Sequence, residues 1–274
     1  LDRNGKPGFM ATRSETVLPI RECHLPEGSL NDLWPALQFE PGLGLERVSL
    51  RLGTEDAMLV LESPEPPELE LEADVSVVHL RGGEAVVMAG EEALMMVVNE
   101  RPFRVSAGSF FQVNTAMAGK MAAHLLERLP LDANTTALDV YCGVGLFSAF
   151  LAPRVGRLIA IESAPSACED FVANLDEFEN VELYEGPAEA ILPGLDVRPE
   201  VAIVDPPRAG LERGALEALL AQGPARLAYV SCDPSTLGRD ARRLLDGGYR
   251  LVEVTPFDLF PQTYHIESIS LFEK

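Results

Sequence analysis

The sequence predicts an α/β protein: a doubly wound, mostly parallel sheet with an antiparallel last strand, preceded by a smaller β-rich N-terminal domain. Three observations carry this. From about residue 115, short apolar runs (Ala137–Tyr141, Leu158–Ile161, Val201–Val204, Leu227–Val230) alternate with helix-length segments. Parallel strands covered by helices on both faces read as such continuous apolar runs. The first hundred residues lack this alternation and read as short strands joined by turns. Finally, Tyr249–Thr255 and Ile266–Phe272 are β-rich, and the ten residues between them are too few for a crossover helix, so these two strands should pair antiparallel.

In chain order, Leu45–Leu52 alternates in polarity and Ala57–Glu62 is a strand candidate. Pro64, Pro66 and Pro67 make residues 63–68 a loop, because proline neither donates to a ladder nor tolerates a helix interior. The Glu-rich run from Leu69 to Asp74 reads as the solvated start of a helix. Val75–Leu80 and Ala85–Ala89 flank a turn at Arg81-Gly82-Gly83-Glu84. Ala116–Leu129 has helical periodicity. The change of pattern places a domain boundary between residues 1–105 and 106–274.

Composition narrows the function. A chain of 274 residues with 47% hydrophobic content can bury a sizeable core. No uncharged apolar run reaches 18 residues, so no transmembrane helix and no membrane partner are expected. The N-terminus has no apolar signal segment and no initiator Met, and reads like a chain cut from a longer one. Cys23, Cys142, Cys168 and Cys232 lie far apart, which fits a reducing cytoplasm and neither a disulfide framework nor a zinc site. His24, His79 and His124 are scattered, so no metal set is expected. A net charge of −21 argues against a broad grip on nucleic acid and against DNA, leaving room for a local basic patch. Arg239, Arg242 and Arg243 share one helix face and are candidates for it. No obligate protein partner is indicated.

The chemistry sits at predicted strand ends. Asp139-Val140-Tyr141-Cys142-Gly143-Val144-Gly145 is a strand entering a Gly-x-Gly turn, and glycines there let backbone approach a ligand. The next strand ends in Glu162, a carboxylate suited to the two ribose hydroxyls of a nucleoside. Ser148 stands where a dinucleotide fingerprint has its third glycine, which favours S-adenosylmethionine over NAD. Asp205-Pro206-Pro207-Arg208 follows a buried strand. Enzymes that methylate amines carry an aromatic ring where Arg208 stands, so that reading is weakened. Ser231-Cys232-Asp233-Pro234 puts a cysteine at the same edge, before a helix N-terminus, a place that lowers thiol pKa. His265 lies two residues before Glu267, a carboxylate just inside the last strand.

Together these blocks resemble the RNA uracil-C5 methyltransferase family, which makes 5-methyluridine in tRNA or 23S rRNA. The resemblance rests on Ser109–Asn114, Asp139–Gly145, Asp205–Arg208, Ser231–Pro234 and Phe260–Glu267, in order and spacing, and is looser through residues 1–105. It implies a Rossmann-like class I methyltransferase sheet, S-adenosylmethionine as cofactor and RNA as partner. It also implies Cys232 as the nucleophile that adds to uracil C6 and Glu267 as the base that removes the C5 proton. Gln112, Tyr141, Gly143, Gly145, Glu162 and Asp205 match its cofactor positions, and Phe110 and Arg208 are candidates for substrate contact. Leu146, Pro187 and Asp233 depart from its pattern, each standing where relatives carry Asn. Cys23 resembles one ligand of the family's iron–sulfur cluster without the other three, so no cluster is expected. Two further readings remain at this point: a methyltransferase acting on an amine or small molecule, and a non-catalytic RNA- or cofactor-binding remnant.

Overall fold

The structure is a computed structural model. It describes every residue except Arg13, Glu15, Arg21, Glu22, Glu27, Pro35, Ala36, Pro41 and residues 69–73. The expected Glu-rich helix start therefore lies outside the described residues. The chain forms two compact units: residues 1–96 with 106–108, and residues 97–105 with 109–274.

In the first unit, β1 (Gly8–Met10) pairs with β2 (Val17–Pro19), and a short helix α1 (Gly28–Leu33) follows. Then come β3 (Arg47–Leu52), β4 (Ala57–Glu62), β5 (Ser76–Arg81) and β6 (Glu84–Ala89), a four-stranded sheet in sequence order. β4 is apolar and buried from Ala57 to Leu61 because both its faces are covered. Leu59 and Leu61 pack with Leu37, Phe39 and Val77, while Met58 and Val60 pack with Val78, Leu94 and Ala107. The loop at residues 63–68 separates β4 from β5, which pair parallel. The Gly82-Gly83 turn joins β5 to β6, with both glycines at positive φ.

β7 (Ala93–Val98) and β8 (Arg101–Ser106) form a two-stranded sheet across Asn99 and Glu100, both at positive φ. In the second unit, α2 (Thr115–Arg128) starts where the Asn114 side chain accepts from the Met117 N–H. Five parallel strands follow: β9 (Thr136–Val140), β10 (Arg157–Glu162), β11 (Val181–Glu185), β12 (Val201–Val204) and β13 (Arg226–Ser231). Helices α3 (Leu146–Leu151), α4 (Pro165–Leu175), α5 (Ala188–Ile191), α6 (Arg213–Gln222) and α7 (Pro234–Asp246) alternate with them. Each fully buried Leu, Ile or Phe on such a sheet contributes about 1.5–3 kcal/mol. Leu138, Ile159, Ala202, Leu227, Tyr229 and Phe272 line one face, packed against Leu216, Leu219 and Leu244 from the helices. Among the described residues, no helix is long and apolar enough to cross a membrane.

The last strands, β14 (Arg250–Phe257) and β15 (Glu267–Glu273), pair antiparallel as expected. Their placement adds something. The sheet runs β11-β10-β9-β12-β13-β15-β14, so β15 is inserted between β13 and β14 and pairs antiparallel with both.

Candidate active site

Register alone brings the site together. Val140, Val204 and Tyr229 stand side by side across β9, β12 and β13, and Ile161 stands beside Val140. The residues that leave these strands, Tyr141, Glu162, Asp205 and Cys232, therefore emerge at one carboxyl edge. Ligands bind at that edge in open α/β sheets. β15 runs the other way and presents its first residue there. Ser231 faces Ser268, the last pair of the ladder, so Cys232 and Glu267 both lie just beyond it at that edge, and the Glu267 charge acts on the thiol.

The glycine turn is tightly specified. Tyr141 has φ 65°, and both its N–H and that of Cys142 donate to the Ile161 carbonyl. Gly145 has φ 91°, and a Cβ there would stand 2.4 Å from Leu175 Cδ1. Gly143 differs: at φ 55° its missing Cβ would meet nothing within 4 Å, so its backbone faces open space. The Gly143 N–H donates to Glu162 Oε2 at 2.9 Å, while Glu162 Oε1 accepts from Ser163 and Ala164 N–H groups. Three backbone donors fix that carboxylate beside the turn. Ser148, at the position of a dinucleotide fingerprint's third glycine, donates to the fully buried Asp139 carboxylate at 2.7 Å. Burial holds Asp139 up at about 6. Asn174, which no sequence motif marks, donates to the carbonyls of Val144 and Arg104 and so braces the turn from α4.

Glu267 is 5% exposed, and burial raises its carboxyl from 4.5 to about 7, opposed by the nearby Arg208 charge. Asp205 is pushed well above the carboxylate range by desolvation, then by the charges of Glu267 and Asp139. For Cys232 the outcome differs from expectation: its thiol is raised, not lowered. Desolvation leads, Glu267 and Asp205 add to it, and Arg208 opposes. The helix N-terminus does not win because Asp233 caps α7, its carboxylate taking the Ser235 and Thr236 N–H groups. Asp serves at that position as Asn would. The structure thus gathers Asp205, Arg208, Cys232 and Glu267 into one mutually interacting group. A thiol facing a carboxyl that titrates near 7, with a guanidinium alongside, suits covalent addition and proton removal.

Gln112 and Phe110 precede α2 and, among the described residues, share no hydrogen bond or ion pair with that group. Gln112 is buried with Oε1 unpartnered, and Phe110 is 69% exposed. Leu146 is buried in the first turn of α3, and Pro187 caps α5. His265 packs its ring on Tyr264, at 4.2 Å, and edge-on to Phe260. The three arginines of α7 all pair with acids: Arg239 and Arg243 with buried Asp240, and Arg242 with Asp246. Cys142 and Cys168 are buried with raised thiols, and Cys23 is half-buried. Among the described residues, no cluster of His, Cys, Asp or Glu is arranged to hold a metal.

A family model described as tRNA (Uracil-5-)-methyltransferase matches residues 73–274. An uncharacterized RNA methyltransferase of Streptomyces coelicolor is 34% identical over 284 residues, covering 100% of this chain and 62% of the relative. One from Streptomyces avermitilis is also 34% identical and covers 100% of this chain and 65% of its own length. The chain thus spans a little under two thirds of these relatives. Among solved structures, the Pyrococcus abyssi tRNA (uracil-54, C5)-methyltransferase, in complex with S-adenosyl-L-homocysteine, superposes with TM-score 0.76 at 23% identity. It covers 95% of this chain and 71% of that protein, and shows that the two share a fold.

Proposed function

Because the chain belongs to the tRNA (uracil-5-)-methyltransferase family, we propose that it is an S-adenosylmethionine-dependent methyltransferase that forms 5-methyluridine in RNA. The observation that carries this reading is the antiparallel insertion of β15, which brings Glu267 to the carboxyl edge of β13 within electrostatic reach of the Cys232 thiol.

The chain has the groups a nucleoside-bearing cofactor needs. Gly143 leaves open space against its backbone, Glu162 is fixed beside it to accept ribose hydroxyls, and Gln112 Oε1 is buried and unpartnered. Tyr141, Gly145 and Asp205 complete the set. When bound, S-adenosylmethionine supplies an electrophilic methyl group for C5 of the base.

The rest belongs to the protein. Uracil C5 is a weak nucleophile, so Cys232, as thiolate, adds to C6 and moves the ring electrons to an enolate with a reactive C5. Arg208 sits beside this pair as the positive charge that offsets thiolate and enolate. After C5 is methylated it carries both a methyl group and its original proton. Glu267 takes that proton, the electron pair re-forms the C5–C6 double bond, and Cys232 departs as thiolate. The target base must leave its stack to reach the thiol, and the exposed Phe110 ring offers it a surface.

Covalent trapping tests this. RNA containing 5-fluorouridine has no C5 proton for Glu267 to remove, so the protein should remain joined to it through denaturation. The adduct should vanish in Cys232→Ala. Methylation of an RNA by Cys232→Ala would refute the mechanism, and cofactor binding with no adduct on any cellular RNA would refute the activity.

A further inference from the structure

The loop between β12 and α6 carries Arg208 and is pinned at several points. Pro207–Gly210 is a tight turn closed by the Gly210 N–H to the Pro207 carbonyl at 2.8 Å, with Arg208 at its second position. Two further clamps hold it from α7. Arg239 Nη2 donates to the Ala209 carbonyl at 2.7 Å, and Asp240 Oδ2 accepts from the Leu211 N–H at 2.8 Å. Asp240 is wholly buried, accepts from the Tyr229 hydroxyl at 2.8 Å, and is gripped by Arg239 through both carboxylate oxygens. A Cβ on Gly210 would stand 2.4 Å from Arg239 Nη2 and from Asp240 Oδ2, so the turn fits closely against the pair.

We infer that Arg239 is a positioning residue which, with Asp240, holds the Pro207–Gly210 turn so that Arg208 stands beside Cys232 and Glu267. This deepens the proposed function and rests on it for its catalytic meaning. Arg239 lends its charge to Asp240 and its geometry to Ala209, which a planar five-donor guanidinium can do at once and an ammonium cannot. The groups facing the thiol are Glu267 from β15, Asp205 from the end of β12, and Arg208 from the turn. Asp233, on the thiol's other side, also feels the Arg208 charge. Among the described residues, Arg208 is thus the one cation facing the thiol, and its withdrawal removes the charge that favours the thiolate.

The test is the pH dependence of Cys232 alkylation by iodoacetamide, followed on its peptide by mass spectrometry. It compares the whole chain with Arg239→Ala, Arg239→Lys, Arg208→Ala and the double Arg208→Ala/Arg239→Ala variant. Removing the cation raises the thiol pKa, so alkylation at neutral pH should slow, by about tenfold if the pKa rises one unit. Arg239→Ala should reproduce the Arg208→Ala profile, Arg239→Lys should fall between, and the double variant should slow no further than Arg208→Ala. An Arg239→Ala profile that overlays wild type, or a double variant slowed by the product of the single effects, would overturn the inference. Misfolding shows in the same spectra, since Cys142 and Cys168 are alkylated only if the core opens. If Arg239→Ala opens it, the Arg239→Lys profile decides. The assay needs neither RNA nor methyl transfer, so its failure is separable from failure of the uridine chemistry.

Discussion

Replacing Glu267 with Gln should stop the reaction at a specific stage. The side chain is 5% exposed, and burial raises its carboxyl from 4.5 to about 7. A rise of that size costs the ionised form about 3 kcal/mol, and it makes the group a base matched to neutral pH. Gln keeps the shape and cannot accept the C5 proton. Methyl transfer should therefore still occur, and elimination of Cys232 should not. On ordinary uridine RNA the variant should accumulate a covalent protein–RNA species carrying the methyl group, visible on a denaturing gel with methyl-labelled cofactor. Turnover should fall by about 10²–10⁴-fold, the usual worth of a positioned base. In the wild type, turnover should rise with pH through about 7, because the base works only deprotonated: roughly a tenth is ionised one pH unit below that value and nine tenths one unit above. Glu267→Gln with turnover within tenfold of wild type would refute the assignment. So would a variant that binds cofactor and alkylates normally at Cys232 yet forms no adduct.

The two site glycines should separate stability from binding. Gly145→Ala meets Leu175 and Phe171 at φ 91° and should cost about 2–4 kcal/mol in urea denaturation, whereas Gly143→Ala, with open space, should cost about 1 kcal/mol yet weaken S-adenosylhomocysteine binding in calorimetry. Equal stability losses would contradict the geometry. Glu162→Gln removes the charge that three N–H groups orient, and should weaken the same ligand by at least about tenfold without unfolding the chain; unchanged affinity would exclude Glu162 from the ribose site. Asp139, raised from 3.8 to about 6 by burial, opposes folding once ionised. That cost is absent below its unfolded value and grows to about 3 kcal/mol above pH 6. Asp139→Asn should therefore gain stability relative to wild type as pH rises from about 4 to 7, and a pH-independent difference would refute the account.

The central strands were legible because their chemistry is one-sided: Val201–Val204 is apolar from end to end, and the structure returns that range as β12. The pair β7–β8 was not, since its turn uses Asn99-Glu100 instead of the Asn-Gly or Asp-Gly that announces a hairpin. β11 was missed for a different reason. It is an edge strand with half-buried residues, so no apolar run marks it. At the site, residue types at strand ends named the groups now found together, but not their electrostatics. Burial, then the approach of Glu267 and Asp205, decides the direction of the Cys232 shift, while the Asp233 cap takes up the helix N-terminus; these are matters of packing. Likewise, spacing placed Arg239, Arg242 and Arg243 on one face, and only the fold reveals the buried acid that claims two of them.

The insertion of β15 also sets a timetable. β14 is made before β15, yet among the described residues its neighbour in the sheet is β15 alone. Until residues 267–273 arrive, β14 has no partner and β13 presents an open ladder, the kind of edge that invites pairing with other chains. The strand that seals this edge brings Glu267 as its first residue. Finishing the sheet and bringing the proposed base to the thiol are one event. On the proposed mechanism, a molecule caught before it, during synthesis or in partial unfolding, has the nucleophile without the means of release.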